Sequence, residues 1–158
     1  SNDEKTYIKN GEDSKGYNLI HLNALYDLEN RIYVGALIQN GRELNEKQAL
    51  IDIVKKSNIE GKVIVIGDRN YESYNIFENV KEKNWNYVIR LKDIESTGIS
   101  SSLVLPKTEI FDEEINLLIT RRQTKEIKNN RNTSFYLKIV ILIIYLMEKK
   151  ELILWILE

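Results

Sequence analysis

Residues 62–67 are the segment that most limits how this chain can fold. They read Lys-Val-Ile-Val-Ile-Gly, a continuous β-branched run without alternation of polar and apolar residues. Such a run is typical of a strand that is buried on both faces, in the middle of a sheet covered by helices. We therefore expect an α/β fold in which residues 63–66 form a central strand, with Asp68 just past its carboxyl end.

The segments before this strand predict a hairpin and a helix. Residues 19–28 and 31–39 are rich in Leu, Ile, Tyr and Val and are separated by a short polar turn, which favours a β-hairpin. Asn45 with Gln48 three residues later is the pattern of a helix N-terminal cap. Residues 1–16 lack an apolar period, so we expect a flexible lead-in and ordered structure from Tyr17 onward.

The segments after it complete the predicted order. A second helix over 72–83 and a strand over 85–91 give strand, strand, helix, strand, helix, strand for the middle of the chain. The composition changes near residue 94, where a serine-rich loop begins. Three further strand-like segments follow, at residues 114–122, 136–145 and 151–157.

Composition excludes several kinds of site. The 158 residues include no cysteine and a single histidine, which excludes a disulfide framework, a thiolate nucleophile and a zinc knuckle. Any bound metal must therefore have oxygen ligands. The formal net charge of −1 argues against a uniformly basic nucleic-acid binder, although residues 115–131 carry five basic residues and one acidic residue, a local charge of +4.

Asp68 is the strongest candidate for a functional side chain. In open α/β sheets ligands bind outside the carboxyl ends of the strands, and Asp68 stands at such an end. A carboxylate there could hold a divalent cation. It could equally cap the helix that follows or pair with Arg69, and the residues alone leave these alternatives open.

Four segments are informative when they are taken together and in this order: residues 22–28, residues 45–46 with 49–50, residues 67–71 and residues 87–92. They resemble the bacterial insertion-sequence DDE transposases with a β-strand insertion in an RNase H-like core. The resemblance implies an RNase H-like fold, a mixed sheet flanked by helices, over residues 17–93. Residues 94–158 would then belong to the β-rich insertion, and the loss of resemblance from residue 134 onward indicates a truncated or frameshifted end.

The resemblance also implies a chemistry and a set of site residues. Asp68 corresponds to the second acidic residue of the DDE triad, which binds two Mg²⁺ (or Mn²⁺) ions and cuts and joins DNA at transposon ends. The matching basic and aromatic positions, together with the basic stretch further along, are candidates for contact with DNA. These candidates are Arg69, Tyr71, Arg90, Lys92, Arg121 and Arg122.

The other two members of the triad have no match in the sequence. The family's first Asp lies on a strand upstream of residue 17, and its last Glu lies on a helix with Tyr, Arg, Glu and Lys at fixed offsets; we expect both to be absent. The chain would then be a fragment, inactive alone, of a bacterial cytoplasmic protein that acts on transposon ends and target DNA, as a dimer and away from membranes.

Two other functions stay open at this stage. The chain could be a non-catalytic remnant of a transposase that binds DNA or dimerises through the basic stretch; the same stretch could also be a solvated charged edge of a sheet. A nucleotide- or phosphate-binding domain with Asp68 at the strand end ranks last, because no glycine-rich phosphate loop is present.

Overall fold

A computed structural model of the chain describes residues 3–42, 44–92, 96–106, 111–119, 135–146 and 149–156. They form a mixed α/β structure with two compact units, residues 1–58 and residues 59–158. The first unit contains β1 (Tyr7–Ile8), β2 (Tyr17–Asn18), β3 (Ile20–Asp27), β4 (Ile32–Asn40) and α1 (Glu46–Lys56). The second contains β5 (Ile64–Gly67), α2 (Tyr74–Glu82), β6 (Asn86–Arg90), β7 (Asp112–Ile119), β8 (Phe135–Leu146) and β9 (Lys149–Ile156), with 3₁₀ helices at Arg69–Tyr71 and Ile99–Ser102.

The first unit is built on the predicted hairpin, in which β3 and β4 pair antiparallel. The Asp27 carboxylate closes the turn by accepting hydrogen bonds from the backbone N–H groups of Glu29 and Asn30, each at 2.9 Å. Arg31 completes it with a left-handed backbone, at φ 58°. Ordered structure starts earlier than expected, because β1 pairs with β2 ahead of the hairpin.

The helix α1 begins at the predicted cap. The Asn45 side chain accepts a hydrogen bond from the Gln48 backbone N–H at 3.0 Å. The Gln48 side chain does not return the bond and instead donates to Asp52 at 2.8 Å. The Gln39 side chain takes its place by accepting the Asn45 N–H at 3.2 Å, which ties the start of α1 to the end of β4.

The helix covers one face of the hairpin. It buries Ala49, Leu50, Ile51, Ile53 and Val54. The packing is close: a Cβ added to Gly35 would lie 2.7 Å from Cγ2 of Ile53, so only glycine allows this approach. The opposite face of the hairpin is apolar and exposed, and its large side chains are Ile20, Leu22, Tyr26, Tyr33 and Ile38.

In the second unit, β5 pairs parallel with β6, with Ile66 opposite Val88. The described strands form a five-stranded sheet in the order β5-β6-β9-β8-β7, in which β9, β8 and β7 continue antiparallel. The expected central position of β5 is therefore wrong among these strands, because β5 lies at an edge. Ile64 and Ile66 are 52% and 65% exposed, whereas Val65 between them is buried. The described residues therefore cover only one face of this apolar strand.

The helix α2 packs on the other face of the parallel pair. Its Phe77 ring stacks on Tyr87 of β6, with centroids 4.6 Å apart and planes at 11°. Ile76 and Val80 are buried beside it. None of the helices among the described residues is long enough and apolar enough to cross a lipid bilayer.

The three strand-like segments after residue 106 do form strands. β8 and β9 make a hairpin, and β9 joins the sheet beside β6. The predicted division of the chain into a core at 17–93 and an insertion at 94–158 stays a prediction, as does the truncated end.

Candidate active site at the end of β5

The site begins where β5 and β6 end together. Parallel neighbours finish at the same edge of a sheet, and Gly67 at the end of β5 lies opposite Ile89 in β6. Asp68 follows Gly67, and Arg90 is the last residue of β6. The acidic candidate and the basic strand end therefore emerge side by side, with Asp68 exposed and Arg90 half-buried.

The Asp68 carboxylate caps the 3₁₀ helix that follows it. Its Oδ1 accepts a hydrogen bond from the Asn70 backbone N–H at 2.8 Å. The Asp68 carbonyl oxygen also accepts the Tyr71 N–H, at 3.0 Å. Asp68 therefore caps the 3₁₀ helix Arg69–Tyr71, whereas the predicted longer helix, α2, begins after Ser73. The second carboxylate oxygen of this exposed side chain, Oδ2, accepts no hydrogen bond from the described residues.

The other residues that were predicted to contact DNA lie in different places. Tyr71 lies against Gly67, since a Cβ added there would lie 3.4 Å from the Tyr71 Cβ and 3.5 Å from its ring. Arg69 is exposed, and Lys92 is half-buried just beyond β6. The predicted residues Arg121 and Arg122 lie outside the described residues.

Glu72 is a residue of this site that sequence reasoning missed. It is 6% exposed, and its carboxylate accepts backbone N–H bonds from Lys92, at 2.6 Å, and from Ile99. A carboxylate with backbone partners 20 and 27 positions away leaves no local pattern in a sequence. The one available signal is an acidic residue two positions before an apolar helix face.

Comparison with known protein families decides the identity. Residues 2–152 match the family described as the transposase DDE domain. The chain belongs to this family. A search of curated proteins gives no match to this transposase domain. Its mixed α/β structure is compatible with the RNase H-like fold, and membership implies DNA transposition, with DNA as the substrate.

The described part of the transposase domain does not make a complete metal centre. Transposases of this family generally use divalent metals. Across the residues that the structure describes, no three His, Asp or Glu side chains gather closely enough to hold an ion. Asp68 alone is too few ligands for a pair of cations, so further carboxylates would have to join it.

Proposed function

We propose that this transposase domain contributes to cutting and joining DNA at transposon ends, and that Asp68 is one of its triad carboxylates. The observation that supports this is the common ending of β5 and β6, which brings an acidic residue beside a basic strand end. The side chains proposed to hold DNA there are Arg69, Tyr71, Arg90 and Lys92. Arg121 and Arg122 are proposed as further contacts on the sequence alone.

The pairing of a carboxylate with cationic side chains suits phosphodiester chemistry. Mg²⁺ in phosphoryl-transfer sites is commonly bound by one or two carboxylates together with substrate phosphate oxygens. The free Oδ2 of Asp68 is a ligand of this type. Arg90 and Lys92 would hold the flanking phosphates by charge, which contributes affinity without base specificity.

A complete two-metal centre needs carboxylates from other elements. We propose that one comes from a strand that pairs with the edge of β5 at which no described strand lies. The support is that Ile64 and Ile66 are apolar but exposed, so another strand and its covering layer would bury them. Without such partners the chain would bind DNA and not cut it. Action as a dimer on DNA in the bacterial cytoplasm remains part of the proposal.

The binding of Mn²⁺ by the chain tests the role of Asp68. We expect weak binding that Asp68→Asn reduces at least fivefold, because the substitution removes the charge and one good ligand oxygen. Asp13→Asn is the matched control, since Asp13 is an exposed carboxylate in the other unit. Water-proton relaxation measures free and bound Mn²⁺ directly, and equal affinities of wild type and Asp68→Asn would contradict the assignment.

The second candidate is a non-catalytic remnant that binds DNA. The basic stretch at residues 115–131, with its local charge of +4, favours it on the sequence alone. Salt-dependent DNA binding that is the same in wild type and Asp68→Ala, with no effect of Mn²⁺ on either protein, would support the remnant over a catalytic domain.

A further inference from the structure

The buried carboxylate of Glu72 joins two parts of the site that are far apart in sequence. Glu72 follows the 3₁₀ helix Arg69–Tyr71, and its backbone N–H donates to the Arg69 carbonyl oxygen at 3.3 Å. Its Oε2 accepts the Lys92 N–H at 2.6 Å, and its Oε1 accepts the Ile99 N–H. A short, hydrogen-bonded turn therefore connects Asp68 to the backbone just beyond β6.

The surroundings of this carboxylate are shaped to hold it. Ser100 is fully buried, and its hydroxyl donates to the Lys92 carbonyl oxygen at 3.0 Å. A Cβ on Gly98 would lie 2.7 Å from Oε1 of Glu72 and 2.9 Å from the Lys92 Cβ. Both backbone polar groups of Lys92 are thus bound, and glycine at 98 leaves the space that this arrangement needs.

We infer that Glu72 is a positioning residue, which fixes the backbone of Lys92 just beyond β6 so that the Lys92 ammonium group can meet a DNA phosphate. The inference rests on the proposed function, in which Lys92 contacts DNA. Glu72 itself touches no substrate, because its carboxylate is buried and occupied by backbone donors. Glu72 affects DNA binding only by setting the position of the Lys92 backbone.

If Glu72 affected DNA binding only through its charge, Glu72→Gln would tighten binding, because a negative charge near a DNA phosphate opposes it. If Glu72 positions Lys92, the same substitution weakens binding. The amide of glutamine has one acceptor oxygen where the carboxylate has two, so it cannot accept from both Lys92 and Ile99 in the same way.

The experiment measures the affinity of the full chain for a labelled 20-base-pair DNA duplex by fluorescence anisotropy. The variants are Glu72→Gln, Lys92→Ala, the double variant, and Glu82→Gln as a control for charge at the exposed end of α2. Losing one phosphate contact costs about fivefold at 0.1 M salt, so we expect that loss for Glu72→Gln and for Lys92→Ala. The double variant should lose no more than either single one, while Glu82→Gln should bind no more weakly than wild type.

Gly98→Ala provides a second variant that keeps the Glu72 charge and disturbs its position. It should weaken DNA binding in the same direction, which keeps the test valid if Glu72→Gln does not fold. Backbone hydrogen exchange supplies the structural readout: the Lys92 and Ile99 amides should exchange faster in both variants, with the α2 amides unchanged.

Two failures can be told apart. If Lys92→Ala weakens binding but Glu72→Gln and Gly98→Ala do not, or if the losses of Glu72→Gln and Lys92→Ala add, Glu72 does not act through Lys92 and the inference is overturned. If Lys92→Ala leaves the affinity unchanged, the proposed DNA contact of Lys92 fails first, and the inference falls with it.

Discussion

Replacing Asp68 by Ala and by Asn separates its observed role as a helix cap from its proposed role as a metal ligand. The structure gives the cap one hydrogen bond, from Asn70 to Oδ1 at 2.8 Å, at an exposed position. Removing a cap of this kind costs typically about 1 kcal/mol, and the short 3₁₀ helix puts the expected loss for Asp68→Ala near or below that value. Asn keeps an acceptor oxygen in the same place, so Asp68→Asn should cost only a few tenths of a kcal/mol at most.

Urea unfolding followed by tryptophan fluorescence measures this difference, because Trp85 and Trp155 both lie in the same unit as Asp68 and Trp85 is buried. With a slope of about 2 kcal/mol per molar urea, a loss of about 1 kcal/mol lowers the midpoint by about 0.5 M. Asp68→Asn should unfold like wild type and yet lose its bound Mn²⁺. Equal destabilisation by Asn and Ala, or no loss with Ala, would refute the capping argument.

Three further predictions concern stability. Tyr87→Phe should leave the free energy of unfolding unchanged or raise it by up to about 1 kcal/mol, because the buried Tyr87 hydroxyl has no hydrogen-bond partner among the described residues; a clear loss in urea unfolding would count against this. Ile53→Ala should cost about 2–4 kcal/mol and Ile38→Ala less than about 1, since Ile53 is 6% and Ile38 62% exposed; equal thermal shifts would contradict the packing of α1. Hydrogen bonding from Asn30 lowers the pKa of Asp27, so this carboxylate stabilises the fold above its unfolded pKa near 3.8 and the benefit disappears as the pH falls through the lower folded value. Unfolding midpoints of wild type and Asp27→Asn should therefore converge in acid, and a constant gap would exclude this origin.

Local features of the fold were predictable because their causes are local. The polar turn after β3 and the Asn45 cap both depend on residues within four positions of each other. The spacing of polar and apolar residues and the β-branched runs predicted the order of strands and helices for the same reason. The Gln48 half of the capping box was not predictable, since its place is taken by Gln39 from the preceding strand.

The position of β5 in its sheet was not predictable from its composition. A run such as Val-Ile-Val-Ile reports that a strand needs cover on both faces, but it does not say which elements provide that cover. The structure supplies α2 on one face and leaves Ile64 and Ile66 exposed on the other.

The candidate site was only half predictable. Asp68 stands out because strand ends have a recognisable pattern, and family resemblance adds Arg90 and Lys92. Glu72 does not stand out, because its partners are backbone amides beyond β6, and any residue type can provide these.

The effect of Mn²⁺ on DNA affinity is the measurement that tests most directly whether Asp68 holds a cation where DNA binds. A cation shared between Asp68 and a DNA phosphate should raise the affinity of wild type for a short duplex, and of Asp13→Asn equally. Asp68→Asn should bind DNA at least as tightly as wild type without metal, because a negative charge is gone, and should gain nothing from Mn²⁺. The same Mn²⁺-dependent gain in wild type and Asp68→Asn would contradict a metal and DNA site at the end of β5.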